Sequence, residues 1–399
     1  MEVISKEMQR LLATGSTLRA MFEEGKRMVK EYGAENVFDF SLGNPNAPVP
    51  KEMNEAMIDV INNTDPAKLH GYMSNAGYEE SRIAIAEYLN KTYGTNFAMR
   101  NVTMTVGAAN AVVVAMKILI NPGDEVVVFA PFFLEYRNYI ADFGGVTVVV
   151  PPNPPTFMPD MDAFAAAINE KTKAVIIDNP NNPTGVIYDE ETIKQLAAIM
   201  EAKQKEYNSH IFLISDEPYR EICYDGLSVP FLTKYYRNTL VAYSFSKALS
   251  IPGERAGYLL MPDEVDESEQ IIAASSIGVR VLGCVNAPSL QQLAIIRMLG
   301  KTSDINIYAK NREILMDVLD EAGFEYVKPQ GTFYLFMKTP IEDDKAFVAK
   351  AKDEYQLLLS GGYAFDCPGW LRIAFCVPYD RIERSRSRFI ALGHEFGLN

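Results

Sequence analysis

Thr239-Leu240-Val241-Ala242-Tyr243-Ser244 runs directly into Phe245-Ser246-Lys247-Ala248-Leu249-Ser250-Ile251-Pro252-Gly253-Glu254-Arg255-Ala256-Gly257-Tyr258. An apolar run of strand length is followed by a lysine boxed in by small, hydroxylated and glycine residues. Such a lysine is poorly placed for a solvated surface role and well placed to meet a ligand. Eight positions on, Arg255 follows Pro-Gly-Glu, a tight turn that can swing a fixed positive charge back to the same ligand. Amine, hydroxyls and guanidinium together suit a carbonyl compound that carries a phosphate.

Outward from this stretch, apolar runs of strand length alternate with helix-length segments. The expected strands are 101–106, 125–129, 146–150, 174–178, 211–216, 239–244 and 256–261. Several are almost wholly apolar, as strands covered on both faces must be. The alternation predicts an α/β domain with a largely parallel sheet flanked by helices. In such sheets ligands gather at the carboxyl ends of the strands. Gly107-Ala108-Ala109, Asn179 to Gly185, Asp216 and Lys247 all fall there.

Before this region, Met8, Leu11, Leu12, Met21 and Met28 have helical spacing through Tyr32, and Val37 to Leu42 reads as a short strand. After about residue 290 come helical patterns at 290–299 and 305–321, short strands at 332–337 and 371–376, and a final helix opening at 381–389. The expected division is a large domain, 50–289, and a smaller discontinuous α+β domain made of 1–49 and 290–399.

Composition narrows the function. The chain has 399 residues, a net charge of −14 and 48% hydrophobic residues. The acidic balance opposes binding to nucleic acid or to an anionic membrane surface. Cys223, Cys284, Cys367 and Cys376 form no C-x-x-C pair and read as reduced thiols. The first ten residues carry both signs of charge and no apolar block, so a cytoplasmic protein is expected. No G-x-G-x-x-G occurs, and His70, His210 and His394 are too far apart to suggest a metal site.

Three further motifs carry chemistry. Asp216, in Ser215-Asp216-Glu217-Pro218-Tyr219, is held at a strand end; facing a pyridine nitrogen, it would keep that nitrogen protonated. Tyr219, three residues on, can hydrogen-bond a ring hydroxyl. Asp178-Asn179-Pro180-Asn181-Asn182-Pro183-Thr184-Gly185 is a loop stiffened by proline, a platform of amides with Asn182 the candidate for a ring oxygen. Thr105 to Ala111 joins a strand to a helix through small residues, where the N–H groups of Ala108 and Ala109 can take a phosphate. A ring nitrogen, a hydroxyl, a carbonyl and a phosphate are the parts of pyridoxal phosphate.

Taken in order, these motifs and Arg372 resemble the class I/II aminotransferases, the fold-type I pyridoxal-phosphate enzymes, from about Gly43 to Arg372. The resemblance implies that Lys247 is the Schiff-base lysine, forming an aldimine and shuttling the proton of a 1,3-shift, with Asp216 on the pyridine nitrogen. It implies Tyr219 and Asn182 on the ring hydroxyl, and Ser244, Arg255, Ala108 and Ala109 on the phosphate. Phe133 corresponds to the aromatic that stacks on the ring. Tyr72, in His70-Gly71-Tyr72, corresponds to a tyrosine that reaches the phosphate from the second subunit of a homodimer. Arg372, with Gly43 and Asn182, is implied to grip the substrate's α-carboxylate.

The stretch Ser250 to Arg255 looks most like bacterial aspartate-aminotransferase-type members, which implies aspartate as donor and 2-oxoglutarate as acceptor. Arg280 lies where some dicarboxylate-specific relatives carry an arginine, but its spacing to Asn286-Ala287-Pro288 differs from theirs, and a solvated helix arginine is the expectation. A β-eliminating lyase of the cystathionine β-lyase type would share every cofactor residue and is the alternative. A cofactor-binding regulator fused to a DNA-binding domain is opposed by the acidic charge.

Overall fold

The computed structural model describes residues 3–14 and 17–398; the side chains of residues 13–22, Met21 included, lie outside the described set. The N-terminal segment forms two helices, Lys6–Thr14 and Thr17–Tyr32, followed by a two-residue strand β1, Phe38–Asp39.

The seven apolar runs become seven strands of one sheet. They are β2 (Val102–Thr105), β3 (Glu125–Phe129), β4 (Val146–Val150), β5 (Thr172–Asp178), β6 (Phe212–Asp216), β7 (Thr239–Ser244) and β8 (Gly257–Leu260). Their order is β2-β8-β7-β6-β5-β3-β4. Pairing is parallel from β4 through β7, while β8 runs antiparallel to both β7 and β2. The link from β7 to β8 spends its residues on the Lys247 turn and the Arg255 turn instead of a helix that would cross the sheet face, so β8 returns beside β7 in the opposite sense.

Side chains alternate across the sheet, and both faces are buried. Val126, Val128, Ile214 and Leu240 pack with Val112 and Ala115 of helix Ala108–Leu119 and with Val279 of helix Ser268–Val281. On the other face Val127, Val175, Ile177 and Leu213 meet Ile193 and Leu196 of helix Glu190–Tyr207. Each valine, leucine or isoleucine side chain among these contributes about 1.5–3 kcal/mol on full burial. This cover at both faces explains why the strands read as continuous apolar runs.

The remaining strands are β9 (Tyr326–Val327), β10 (Tyr334–Lys338), β11 (Leu357–Leu358), β12 (Ser360–Gly361) and β13 (Trp370–Ala374). An antiparallel sheet has the order β12-β13-β10-β9, and β1 pairs parallel with β11. Phe38 and Phe40 share one core with Leu315 of helix Asn306–Glu321 and Phe389 of helix Tyr379–Glu395. Helix Ser289–Ile295 packs elsewhere: Ala294 and Ile295 lie with Met53, Ile85 and Leu89. We propose on this packing that the C-terminal part of the smaller unit begins after Met298, later than residue 290. Among the described residues no helix is long and apolar enough to cross a membrane.

Candidate active site

Lys247, in the short helix Phe245–Ala248, opens into a cavity of about 270 Å³ at the carboxyl ends of the central strands. Its walls include Gly43, Ala108, Ala109, Phe133, Asn182, Asp216, Tyr219, Ser244, Arg255 and Arg372. Residues more than 300 positions apart in the sequence thus meet around one space. Tyr72 is absent from it. That side chain is 93% exposed and borders a separate depression with Cys284, Val285 and Asn286. Arg280 is exposed on its helix, away from the cavity.

The Lys247 Nζ donates to the Gly43 carbonyl at 2.8 Å and lies 5.5 Å from the centre of the Phe333 ring. Burial pulls its ammonium down to about 8 from an ordinary 10.5; Cys376 opposes this, and Arg372 and Arg255 add to it. Burial is the largest of these causes, because removing the ammonium from water disfavours its charged form more than either neighbouring guanidinium does.

Asp216 ends β6, 7% exposed. Its Oδ2 accepts the Tyr136 hydroxyl at 2.6 Å, while Oδ1 is buried without a partner. Burial pushes the carboxyl up to about 7; the Tyr136 bond opposes this, and Glu217 adds to it. The segment after β6 is rigid. Ser215 Oγ donates to Glu217 Oε1 at 2.6 Å, Glu217 pairs with buried Arg220, and the Arg220 guanidinium lies over Tyr243 at 4.9 Å. These contacts fix Tyr219, whose hydroxyl is 3.0 Å from that of Tyr334.

The proline-rich loop divides its asparagines. Asn179 exchanges hydrogen bonds with the Tyr188 backbone, and Asn181 accepts from Thr184 and donates to the Pro131 carbonyl. Both serve the loop itself. Only Asn182 faces the cavity, and its Oδ1 accepts from Arg372 Nη1 at 2.9 Å. The broader amide platform expected from the sequence is therefore one amide.

Arg372 is 2% exposed on β13. Nη2 donates to the Ser41 carbonyl at 2.7 Å, and the guanidinium lies 4.4 Å from the Tyr334 ring centre and 5.0 Å from that of Phe365. Nε has no partner, and among the described residues no carboxylate pairs with this cation. A buried, unpaired guanidinium with spare donors at a cavity wall suits an incoming carboxylate. Gly43 is needed beside it, since a Cβ there would fall 1.7 Å from the Tyr334 hydroxyl oxygen.

At the other end, Gly107 (φ +88°) precedes helix Ala108–Leu119, whose first turn has no side-chain cap. Arg255 takes left-handed backbone (φ 52°), donating to the Val106 carbonyl at 2.9 Å and to the Pro252 carbonyl at 2.9 Å. A non-glycine residue held there marks a constrained site. A Cβ on Gly107 would lie 2.9 Å from Arg255 Nη2, so glycine is what lets the guanidinium cross the helix start. Ser244 Oγ bonds Ser246 Oγ at 2.6 Å, which adds Ser246 to the hydroxyls lining the cavity.

Pyridoxal phosphate fits this lining. The orphaned Asp216 Oδ1 suits a protonated ring nitrogen, and the uncapped helix start with Arg255 suits a phosphate. Sequence reasoning passed over Tyr136, Asp178, Tyr139 and Tyr334. Asp178 stood inside a motif already quoted, and Tyr136 lies three residues after Phe133; the other two carried no local signal.

The family model for aminotransferase class I and II matches residues 35–389, and the chain belongs to that family of pyridoxal-phosphate-dependent enzymes. An aspartate aminotransferase of Pyrococcus horikoshii is 30% identical over 393 residues, covering 95% of this chain and 94% of that protein. One from Thermotoga maritima is 29% identical over 370 residues, covering 92% and 93%. The crystal structure of an aminotransferase from Eubacterium rectale superposes with a TM-score of 0.96 at 44% identity, over the whole of both chains. The enzyme is thus a transaminase that exchanges an amino group between an amino acid and a 2-oxo acid.

Proposed function

We propose that this enzyme acts as a cytoplasmic homodimer with aspartate as its amino donor and 2-oxoglutarate as its acceptor. One observation carries the site: Lys247 Nζ, the unpartnered Asp216 Oδ1 and the spare donors of Arg372 open onto one cavity. The choice of aspartate is supported by the names of the two relatives above, and transamination is favoured over β-elimination for the same reason.

Pyridoxal phosphate, when bound, supplies an electron-accepting ring for a carbon that loses its proton. On our reading Asp216 holds the proton on the ring nitrogen, Tyr219 and Asn182 take the ring hydroxyl, and Phe133 covers the ring face. Arg255, Ser244 and the N–H groups of Ala108 and Ala109 hold the phosphate, and Tyr72 reaches it from a second subunit. Arg372, with Gly43 and Asn182, fixes the substrate carboxylate and so aims the α-hydrogen. Lys247 Nζ, largely uncharged once pH exceeds about 8, then takes the α-proton and delivers it further along. Among the described residues the arginines lining the cavity are Arg255 and Arg372, both already engaged, so a distal carboxylate has no arginine reader from this subunit.

A panel of amino donors with 2-oxoglutarate, run beside an acceptor-free control, tests the reading. Aspartate should give the highest kcat/KM; ammonia and a 2-oxo acid released without acceptor would favour the lyase. Light scattering should give twice the chain mass, and Tyr72→Phe should weaken cofactor retention.

A further inference from the structure

We infer that Asp178 is held as a neutral carboxylic acid in the loaded enzyme and presents its Oδ1 hydroxyl as a hydrogen-bond donor to the cavity, leaving Asp216 as the ionised member of this carboxyl pair. This rests on the cofactor reading of the same cavity.

Asp178 ends β5, directly across from Asp216 in the register of β5 with β6. It is 6% exposed and lines the cavity. Its Oδ2 accepts the Asn182 N–H at 2.8 Å, while Oδ1 is buried with no partner. Asp216 Oδ1 is equally without one. Two buried carboxylates on neighbouring strand ends, with no cation on either among the described residues, cannot both be ionised at modest cost.

The hydrogen bonds decide which keeps the proton. Asp216 receives the Tyr136 hydroxyl, a bond that favours its ionised form. A protonated ring nitrogen favours that form again. Asp178 receives one backbone N–H and no phenol: Tyr136 is committed to Asp216, and Tyr219 and Tyr334 face each other. Tyr188, whose hydroxyl is pushed upward by burial and by Asp178, brings no positive charge either. Burial and Asp216 both push the Asp178 carboxyl upward, against the Asn182 bond alone. A neutral acid can accept at Oδ2 and donate from Oδ1, which satisfies both oxygens once a ligand acceptor arrives.

The test compares the holoenzyme with Asp178→Asn, which keeps a neutral donor, and Asp178→Ala, which does not. In protein carrying carboxyl-labelled aspartate, infrared spectra at neutral pH should show a protonated aspartic C=O band that Asp178→Asn removes; Asp344→Asn, at a buried carboxyl outside the cavity that burial also pushes upward, should leave it. Loss of an ionised-carboxylate band instead would overturn the inference. The pH midpoint of the bound cofactor's absorbance should not move in Asp178→Asn; a midpoint lower by about one unit or more, the effect of deleting a buried neighbouring charge, would also overturn it. Asp178→Ala should weaken cofactor binding about 5- to 20-fold, as for one lost hydrogen bond in a buried site, and unchanged binding would remove the donor role. If neither variant folds, labelled protein carrying Asp344→Asn decides by the presence or absence of the protonated band. Should the cavity take no pyridoxal phosphate, the parent lacks its bound-cofactor absorbance, a failure distinct from these, and the cofactor-free infrared spectrum still reports whether this pair holds a proton.

Discussion

Replacing Tyr136 by phenylalanine removes one oxygen from a fully buried ring and nothing else. That oxygen donates to Asp216 Oδ2 at 2.6 Å, a charge-assisted bond once Asp216 is ionised. Such bonds contribute about 1.5–3 kcal/mol. The loss falls on the ionised carboxylate, so the carboxyl, already pushed up by burial, rises further and holds a ring proton less firmly. Converted at about 1.4 kcal/mol per decade, the expected fall in kcat is about 10- to 150-fold. KM should change little, because Tyr136 is not among the residues lining the cavity, whereas Arg372, Gly43 and Asn182 are. Steady-state kinetics with the preferred donor, together with the pH dependence of the cofactor's absorbance, measure both. A kcat within twofold of the parent, in a variant that folds and retains cofactor, would refute the view that Asp216 is tuned through this bond.

Lys247→Ala should abolish transamination and the yellow absorbance of the bound cofactor; ordinary turnover would remove Lys247 from the mechanism. Asp216→Ala should retain some cofactor and lose most turnover, checked by absorbance and single-turnover rates. Arg372→Lys keeps the charge but loses the fork, so kcat/KM should fall by about 100-fold or more, mostly through KM. In the cofactor-free protein the unfolded chain keeps the Lys247 proton up to about 10.5, while the folded chain releases it from about 8. Between those values the unfolded state binds more protons, so this group's cost to stability is full below 8 and fades as pH rises to 10.5. Urea denaturation should therefore show Lys247→Met gaining on the parent most at pH 7, and the difference shrinking by pH 10.

Much was legible in the chain because strands covered on both faces must be apolar along their length. All seven runs from 101 to 261 fall in one sheet for that reason. Local backbone demands also left their mark: glycine before Ala108, the prolines around Asn182, the Pro-Gly turn before Arg255. Short strands were less legible. The run 37–42 forms only Phe38–Asp39, since its partner is the equally short Leu357–Leu358. Helix Ser289–Ile295 carries no local sign of its neighbours, and only the tertiary structure shows that it packs against Met53 and Ile85.

The sequence by itself determined which residue types stand at the strand ends, because type and position within a strand are local properties. Lys247, Asp216 and Asn182 were named on that basis, and Arg372 through the resemblance to the family. Only the tertiary structure decided what each one faces. It gave Asp216 a phenol from residue 136 and a second carboxylate from residue 178. It made burial the largest cause of the Lys247 shift. It also put Tyr72 outside this subunit's cavity. Desolvation and proton sharing depend on distances between segments far apart along the chain, and no local pattern encodes them.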